Sequence, residues 1–483
     1  MTLFDRVFDF GCRMCAGRWA RFYAGPVLIA LWLAAILAIK VGFYRIGQVT
    51  GDLFIYANAL ANTHWPDRFL YIADYQLRSG TTTLLLDHFE PSSVLLIPLF
   101  RLFHSPMVLV VFQGLAPLVL VTCLIVTNKR FGGPAWLGWA VAIFTLFNPL
   151  FIDAVIDGPW GFHHDSQFLI YTPLFLTMFL LRRWGWALAF LLLFLGVKED
   201  AAFFGIAFGT GVAACGLPFQ KCRREALAVA VISAAWFVLT VVLIPHLVRS
   251  PNMYAAAGVS QLGQGIIPLA IEASRHFFTY GWHKLLLYFF YAAGSPLFLV
   301  SVLPDIGMYS VMTRASNLYF NFTIITFLAF GVLLTLLRLA TTPEGTVLAR
   351  LRKPLIVAFA VQLTVGVPVG LLEFGHVWGK RAPDSRPVAA ADQEAAWRMV
   401  DLSCSAAVSS SLLDRFYRLP FYLQWWHVGE AQEVVVVDRA LLTARGHDPV
   451  LEFVEAHPGR FELIGRSGPV TVWRNRDRGC FPW

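Results

Sequence analysis

Three consecutive charged residues, Lys198, Glu199 and Asp200, lie between two apolar runs. The run before them, Trp184 to Val197, would be about 20 Å long as a helix, shorter than a bilayer core of about 30 Å. We therefore expect the charges to lie below the lipid surface, where ionised groups are costly unless they face a polar cavity. A lysine beside carboxylates could bind an anion while a carboxylate moves a proton. The alternative is an interfacial helix end with self-paired charges.

Three earlier segments carry side chains suited to the same chemistry. They are Asp52, the pair His88 and Glu90, and the run His163, His164 and Asp165. Each has a structural alternative, because Asp52 could cap a helix and the others could be solvated loop residues. A histidine and a carboxylate two positions apart could also bind a divalent cation, so Mg or Mn ligation by His88, Glu90 or Asp165 stays open.

The composition predicts a polytopic membrane protein. Of 483 residues, 57% are hydrophobic and 14% are charged, against about 25% charged in soluble proteins, and the mean hydropathy is +0.63. The net charge of +8 is explained by basic loops on one membrane face. No nucleic-acid motif is present, so the lipid bilayer is the expected surroundings and nucleic acid is not an expected partner.

The hydropathy pattern predicts about eleven spans. Basic clusters recur after every second span, which predicts a cytoplasmic N-terminus and places the four clusters with carboxylates and histidines on the outer side. The expected spans are, in order, about residues 24–41, 107–126, 136–152, 168–181, 184–197, 201–220, 226–247, 285–302, 306–312, 318–337 and 354–372.

The first outer loop, about residues 45–106, is expected to carry two interfacial helices. Leu53, Tyr56, Ala57 and Leu60 fall at helical spacing after Asp52, which predicts an amphipathic helix lying on the membrane with Asp52 as its N-cap. Residues 92–103 would form the second.

From Gly379 the composition becomes that of a soluble domain, so we divide the chain into a membrane domain, residues 1–378, and an outer α/β domain, residues 379–483. Val434 to Val437 predicts a buried strand, Pro449 begins a helix, and Phe461 to Trp473 predicts strands around a Gly468-Pro469 turn. The domain shows no nucleophile or metal constellation, which favours a lid or an acceptor-docking module. An oxidising compartment would permit a disulfide between Cys404 and Cys480.

Four short motifs together resemble a known family. The ordered set Gly51-Asp52, His88-Phe89-x-Pro91, Phe162-His163-x-Asp165 and Val197-Lys198-Glu199-Asp200 is similar to that of an uncharacterised family of bacterial predicted membrane proteins. That family resembles the C-type (GT-C fold) glycosyltransferases, which are polytopic enzymes that use polyprenyl-phosphate sugars. The resemblance implies a GT-C-like fold in the bacterial cytoplasmic membrane.

The resemblance also implies roles for individual residues. Asp52 matches the family's catalytic base, and Lys198 would face the donor phosphate. The remaining candidates for the donor pocket are Tyr56, His88, Glu90, His163, His164, Asp165, Glu199, Asp200 and Arg314. Asp165 stands where the family usually has Glu, and His164 where it usually has Pro, so the role of Asp165 is the least defined.

The expected function is therefore transfer of a sugar, with inversion, from a polyprenyl-phosphate donor to a glycan, lipid or protein acceptor on the outer face. A transporter or lipid flippase would also need charges at membrane depth and broken helices. A non-catalytic scaffold ranks third, because it has no need for buried carboxylates and lysine.

Overall fold

The structure is a computed structural model. It describes residues 24–45, 49, 52–64, 69–71, 83–156, 161–217, 222–248, 268, 271, 290–297, 300, 321–344, 346–379, 388–401, 404–409, 412–418, 422–424, 433–439 and 449–477. These residues form many apolar helices and a small sheet near the C-terminus, so the predicted fold class, a helical membrane protein with a C-terminal α/β domain, is confirmed.

The helices follow the apolar runs of the sequence. In the first three quarters of the chain the α-helices are Gly25–Arg45, Asp52–Ala61, Leu84–Asp87, Leu96–Phe103, Met107–Leu115, Pro117–Arg130, Ala135–Leu146, Pro149–Ile156, Phe168–Leu180, Trp184–Leu195, Ala201–Cys215, Arg223–Phe237, Ile244–Val248, Asn321–Thr341 and Val347–Gly379. A π-helical stretch, Val238–Leu243, joins Arg223–Phe237 to Ile244–Val248.

Within the described residues, five helices are long and apolar enough to cross a membrane, and a bent pair could make a sixth. Several predicted spans appear as shorter apolar helices, and those at residues 285–302 and 306–312 lie mostly or wholly outside the described part. The number eleven therefore stays a prediction.

The third predicted span is not one straight helix. Ala135–Leu146 and Pro149–Ile156 meet at 63°. Proline has no backbone N–H, so a helix cannot continue through Pro149 with full hydrogen bonding. The Asn148 Oδ1 accepts a hydrogen bond from the Leu150 N–H at 3.0 Å, which caps the second helix.

The helix Asp52–Ala61, called the Asp52 helix below, is correctly predicted in its position but not in its surroundings. All residues from Leu53 to Leu60 are buried in the protein, so the expected amphipathic helix on the membrane surface is wrong. Its sequence is apolar on every side except for Tyr56 and Asn58, and a helix that is apolar all round is a buried one. Asp52 is its first residue.

The second helix of the first loop does keep an exposed apolar side. A 3₁₀ turn, Pro91–Leu95, leads into Leu96–Phe103. Leu96, Ile97 and Phe100 are buried, whereas Leu102 and Phe103 are exposed. This arrangement fits an interfacial helix, which stays a prediction.

Contacts divide the chain into two compact units. Unit 1 comprises the described residues within Met1–Leu37, Gln113–Ile156 and His164–His376. Unit 2 comprises those within Ala38–Phe112, Asp157–His163 and Val377–Trp483. These units are defined by contacts within the protein, whereas the division at residue 378 was drawn from the amino-acid composition. The predicted domains therefore stay a prediction.

The C-terminal part of unit 2 is a mixed five-stranded sheet. Its strands are β1 (Ala406–Val408), β2 (Tyr422–Gln424), β3 (Val434–Asp438), β4 (Phe461–Ser467) and β5 (Val470–Asn475), and its helices are Ala390–Met399, Leu413–Phe416 and Pro449–Ala456. The strand order is β2-β1-β3-β5-β4, with β1 parallel to β2 and β3, and β5 antiparallel to β3 and β4.

The strongest sequence signals in this sheet are confirmed. The valine run forms the fully buried β3, the helix begins at Pro449, and β4 and β5 form a hairpin. Gly468 lies in that turn with φ +52°, which favours glycine. Val435 and Val437 pack with Leu451, Val454 and Phe461 in the domain's core.

Cys404 is disulfide-bonded. Its partner lies outside the described residues, as does Cys480, so the predicted Cys404–Cys480 pairing stays a prediction.

Candidate active site

The candidate side chains form two groups, one in each unit. In unit 2, the Asp52 group begins with Asp52 at the start of its helix. Its Oδ2 lies 3.1 Å from His163 Nε2. The Asp52 side chain is 25% exposed and that of His163 is 6% exposed. A neutral or protonated imidazole with hydrogen on Nε2 would donate to this carboxylate, and the helix N-terminus favours its negative charge.

Tyr56 and Glu90 extend this group. Tyr56 lies one helical turn after Asp52 and so shares a face of the helix with it. Its hydroxyl donates to both carboxylate oxygens of Glu90, at 2.8 and 2.9 Å, and the Ser93 hydroxyl donates to Glu90 Oε2 at 2.8 Å. Because Glu90 is fully buried, it orients Tyr56 from inside the unit.

The loop that carries His163 is fixed by a lysine that the sequence analysis did not select. Lys40 Nζ donates to the Gly161 carbonyl at 2.8 Å, and Lys40 is 1% exposed. Gly161 has φ +69°, and a Cβ there would lie 2.1 Å from Val49 Cγ1, so only glycine fits. Phe162 packs edge-on against the Tyr56 ring, with centroids 5.5 Å apart.

Lys40 corrects one expectation. The sequence analysis selected Lys198 and not Lys40, yet Lys40 is at least as buried, 1% against 5% exposed. A sequence signal existed, since Lys40 is the one charged residue between Ala24 and Val41, and a lone charge in an apolar span is a candidate functional residue by default.

In unit 1, the Asp165 group is built from two separated turns. His164–Gln167 is a 3₁₀ turn before Phe168–Leu180. Asp165 Oδ1 lies 3.2 Å from His164 Nε2, and Asp165 Oδ2 lies 3.6 Å from Lys198 Nζ. The Asp165 side chain is 1% exposed. A carboxylate buried this deeply is stable only beside positive charge or hydrogen-bond donors, and Lys198 supplies the positive charge.

Lys198, Glu199 and Asp200 form the turn between Trp184–Leu195 and Ala201–Cys215. The Ala201 N–H donates to the Lys198 carbonyl at 3.1 Å, and the Phe203 N–H donates to the Asp200 carbonyl at 3.0 Å. All three side chains are buried. The preceding helix has 12 residues, about 18 Å, which agrees with the short apolar run, and the depth of the turn in the membrane stays a prediction.

The remaining candidates are placed less fully. His88 is half-buried, and its N–H donates to the Leu84 carbonyl at 3.1 Å, which ends the helix Leu84–Asp87. Arg314 lies outside the described residues. Metal binding by His88, Glu90 or Asp165 stays a prediction. Two hydroxyls donate to Glu90, and the Lys198 ammonium lies 3.6 Å from Asp165 Oδ2.

The fold is the GT-C fold. The comparison behind this statement is with the crystal structure of ArnT from Cupriavidus metallidurans bound to undecaprenyl phosphate, with a TM-score of 0.50. The match covers 94% of this chain and 99% of that chain, at 13% sequence identity. No known protein-family profile matches the sequence, and no curated protein matches it. At this identity the likeness establishes the architecture.

Proposed function

We propose that this protein is a glycosyltransferase of the cytoplasmic membrane that transfers a sugar from a polyprenyl-phosphate donor to an acceptor on the outer face. The observation that carries the proposal is the pair of Asp52 and His163 within an ArnT-like fold. ArnT was crystallised with undecaprenyl phosphate, which supports a donor of the same class here.

In the proposed reaction, Asp52 is the general base. The acceptor hydroxyl gives its proton to the Asp52 carboxylate as its oxygen bonds to the anomeric carbon of the sugar. The bond from that carbon to the phosphate oxygen breaks, and polyprenyl phosphate leaves with the electron pair. One such displacement inverts the anomeric carbon. His163, 3.1 Å from Asp52 Oδ2, orients the carboxylate.

Lys198 is the proposed contact for the donor phosphate. Its ammonium lies 3.6 Å from Asp165, and this carboxylate fixes its direction and offsets the cost of burying it. Charge-assisted hydrogen bonds from an ammonium to a phosphate are among the stronger polar contacts in proteins. Lys198 would therefore stabilise the charge of the departing phosphate.

The test is a comparison of Asp52→Asn with wild type in lipid nanodiscs. The donors are undecaprenyl-phosphate hexoses and pentoses, the acceptor is a cell-envelope extract, and the readout is release of undecaprenyl phosphate by mass spectrometry. We expect a loss of about 10²–10⁴ in rate, with undecaprenyl phosphate affinity unchanged. Asparagine stabilises a helix start about as well as aspartate, so a purely structural Asp52 predicts near-normal turnover.

Asp392→Asn is the matched control. Asp392 lies in the first turn of Ala390–Met399 and accepts a hydrogen bond from the Ser467 hydroxyl at 2.8 Å. The Asp392→Asn substitution should leave turnover unchanged.

Wild-type protein that carries undecaprenyl phosphate across a vesicle bilayer, with no release from any donor and no effect of Asp52→Asn, would favour the flippase. A protein that shows neither transfer nor lipid transport would favour the scaffold.

The proposed topology has a cytoplasmic N-terminus and an extracytoplasmic C-terminal domain, supported by the basic residues at helix ends such as Lys129 and Arg130, and Arg338. Reporter fusions after Arg183 and Gly379 should report opposite compartments. The same compartment for both would reject this topology.

A further inference from the structure

One short segment of the C-terminal domain contacts the end of the first helix and two elements of the first loop within unit 2. The segment comprises Leu413–Phe416 with the following Tyr417 and Arg418, and is called the 413–418 segment below. Asp414 accepts a hydrogen bond from the Tyr44 hydroxyl at the end of the first helix. The other contacts are with the Asp52 helix and with the end of Leu96–Phe103.

The contact with the Asp52 helix is a buried hydrogen bond. Asn58 Nδ2 donates to the Tyr417 carbonyl at 2.7 Å, and Asn58 is fully buried. Asn58 is the one amide side chain in a helix that is otherwise almost entirely apolar. A buried amide costs free energy unless it is hydrogen-bonded, so the carbonyl supplied by the C-terminal domain is needed for this helix to be stable where it lies.

The contact with Leu96–Phe103 is made through His104, the residue that ends this helix. His104 has φ +48°, which is uncommon for a residue other than glycine. Its carbonyl accepts from the Tyr417 hydroxyl at 2.9 Å and from Arg418 Nη2 at 3.0 Å. The Tyr417 ring also packs edge-on against Phe100, with centroids 5.9 Å apart.

The two first-loop helices are also joined directly. Arg101 Nη2 donates to the Thr63 carbonyl just after the Asp52 helix, at 2.8 Å. Tyr417 therefore contacts both helices of a connected pair, one through its carbonyl and the other through its hydroxyl and ring. Since Asn58 and Asp52 share one rigid helix, displacement of Tyr417 is transmitted to the carboxylate.

We infer that Tyr417 is a positioning residue for Asp52, and that the 413–418 segment makes the C-terminal domain a fixed part of the transfer site. The effect that this inference predicts on turnover rests on the proposed function. A lid would have to leave the first loop in each cycle, and the buried hydrogen bond from Asn58 to the Tyr417 carbonyl would then break each time.

The experiment uses the full-length protein in nanodiscs and two variants. Tyr417→Phe removes the hydroxyl that donates to His104 and keeps the ring. Asn58→Leu removes the donor to the Tyr417 carbonyl and keeps a side chain of similar size. Amide hydrogen exchange is measured for peptides covering residues 52–61, together with kcat and donor KM. Tyr291→Phe is the control, because the Tyr291 hydroxyl donates to the Leu355 carbonyl at 3.1 Å in unit 1.

We expect exchange in residues 52–61 to rise on the order of tenfold in Asn58→Leu, because the buried Tyr417 carbonyl loses its donor. The rise should be smaller in Tyr417→Phe, because Arg418 still donates to the His104 carbonyl. The value of kcat should fall while donor KM stays within about twofold, since Lys198 is untouched. Tyr291→Phe should change neither quantity. Unchanged exchange in residues 52–61 in Tyr417→Phe and Asn58→Leu would overturn the inference.

The two proposals can fail separately. If wild-type protein releases no undecaprenyl phosphate from any donor, the proposed function fails and the exchange data still decide whether Tyr417 positions the Asp52 helix. If transfer is observed and Asp52→Asn abolishes it, equal kcat in wild type and both variants would reject the positioning role alone. Should Asn58→Leu fail to fold, the milder Tyr417→Phe remains decisive.

Discussion

The two aspartates at the centres of the candidate groups differ in how they are surrounded. Asp52 is 25% exposed and lies at a helix start beside one imidazole. Asp165 is 1% exposed and lies between an imidazole and an ammonium. A base must exchange protons with a substrate, which requires access, whereas a buried carboxylate beside a cation is held in its ionised form. The comparison supports the proposal that Asp52 transfers the proton and that Asp165 positions Lys198.

The largest expected difference between the two groups is in stability. Asp165→Asn takes the carboxylate away from the Lys198 ammonium, and breaking a buried ion pair typically costs about 3–5 kcal/mol. Asp52→Asn, at a partly exposed helix start, should cost less than about 1 kcal/mol. Thermal unfolding of both variants in the same detergent measures the contrast. Equal stability of the two variants would show that the surroundings of Asp165 tolerate the loss of the carboxylate as well as those of Asp52 do.

Much of the fold could be predicted from local sequence. The apolar runs gave the positions of the helices, and the run of four valines gave the central strand of the sheet. Two features were not predictable in this way. The burial of the Asp52 helix depends on which elements surround it, and the pairing of β1 with β2 and β3 joins short segments with little pattern of their own. Both are set by contacts distant in sequence.

The roles of the candidate residues, and their grouping in one site, stay predictions. Residue types and membrane depth selected Asp52, His163, Asp165 and Lys198. The sequence predicted one cluster, and the structure describes the Asp52 group in unit 2 and the Asp165 group in unit 1, each by itself, so the single cluster stays a prediction. Adjacent residues can belong to different packing units when a turn directs their side chains to different partners. The direction of a side chain in a turn cannot be predicted from hydropathy. Lys40 was missed because it was counted only as part of a span.

The last prediction compares Lys40 in unit 2 with Lys198 in unit 1, both buried, and its expected effect is smaller. Lys198→Met should weaken the affinity for undecaprenyl phosphate by about tenfold to a hundredfold, the range expected for one charge-assisted hydrogen bond. Lys40→Met should leave that affinity unchanged and lower kcat, because Lys40 donates to the Gly161 carbonyl, two residues before His163. Methionine is used in both variants because it keeps an unbranched apolar stem of similar length.

Titration of nanodisc-embedded protein with undecaprenyl phosphate, followed by tryptophan fluorescence, measures the affinities, and release from a donor found active in wild type measures kcat. Weaker binding in Lys198→Met would support an anion-binding role for Lys198. Lower kcat with unchanged binding in Lys40→Met would support a positioning role for Lys40. If Lys40→Met alone weakens binding, the phosphate contact moves to unit 2 and Lys198 serves chiefly to neutralise Asp165. That result would also change the comparison between the aspartates, because the partly exposed carboxylate would then belong to the unit that binds the donor's phosphate.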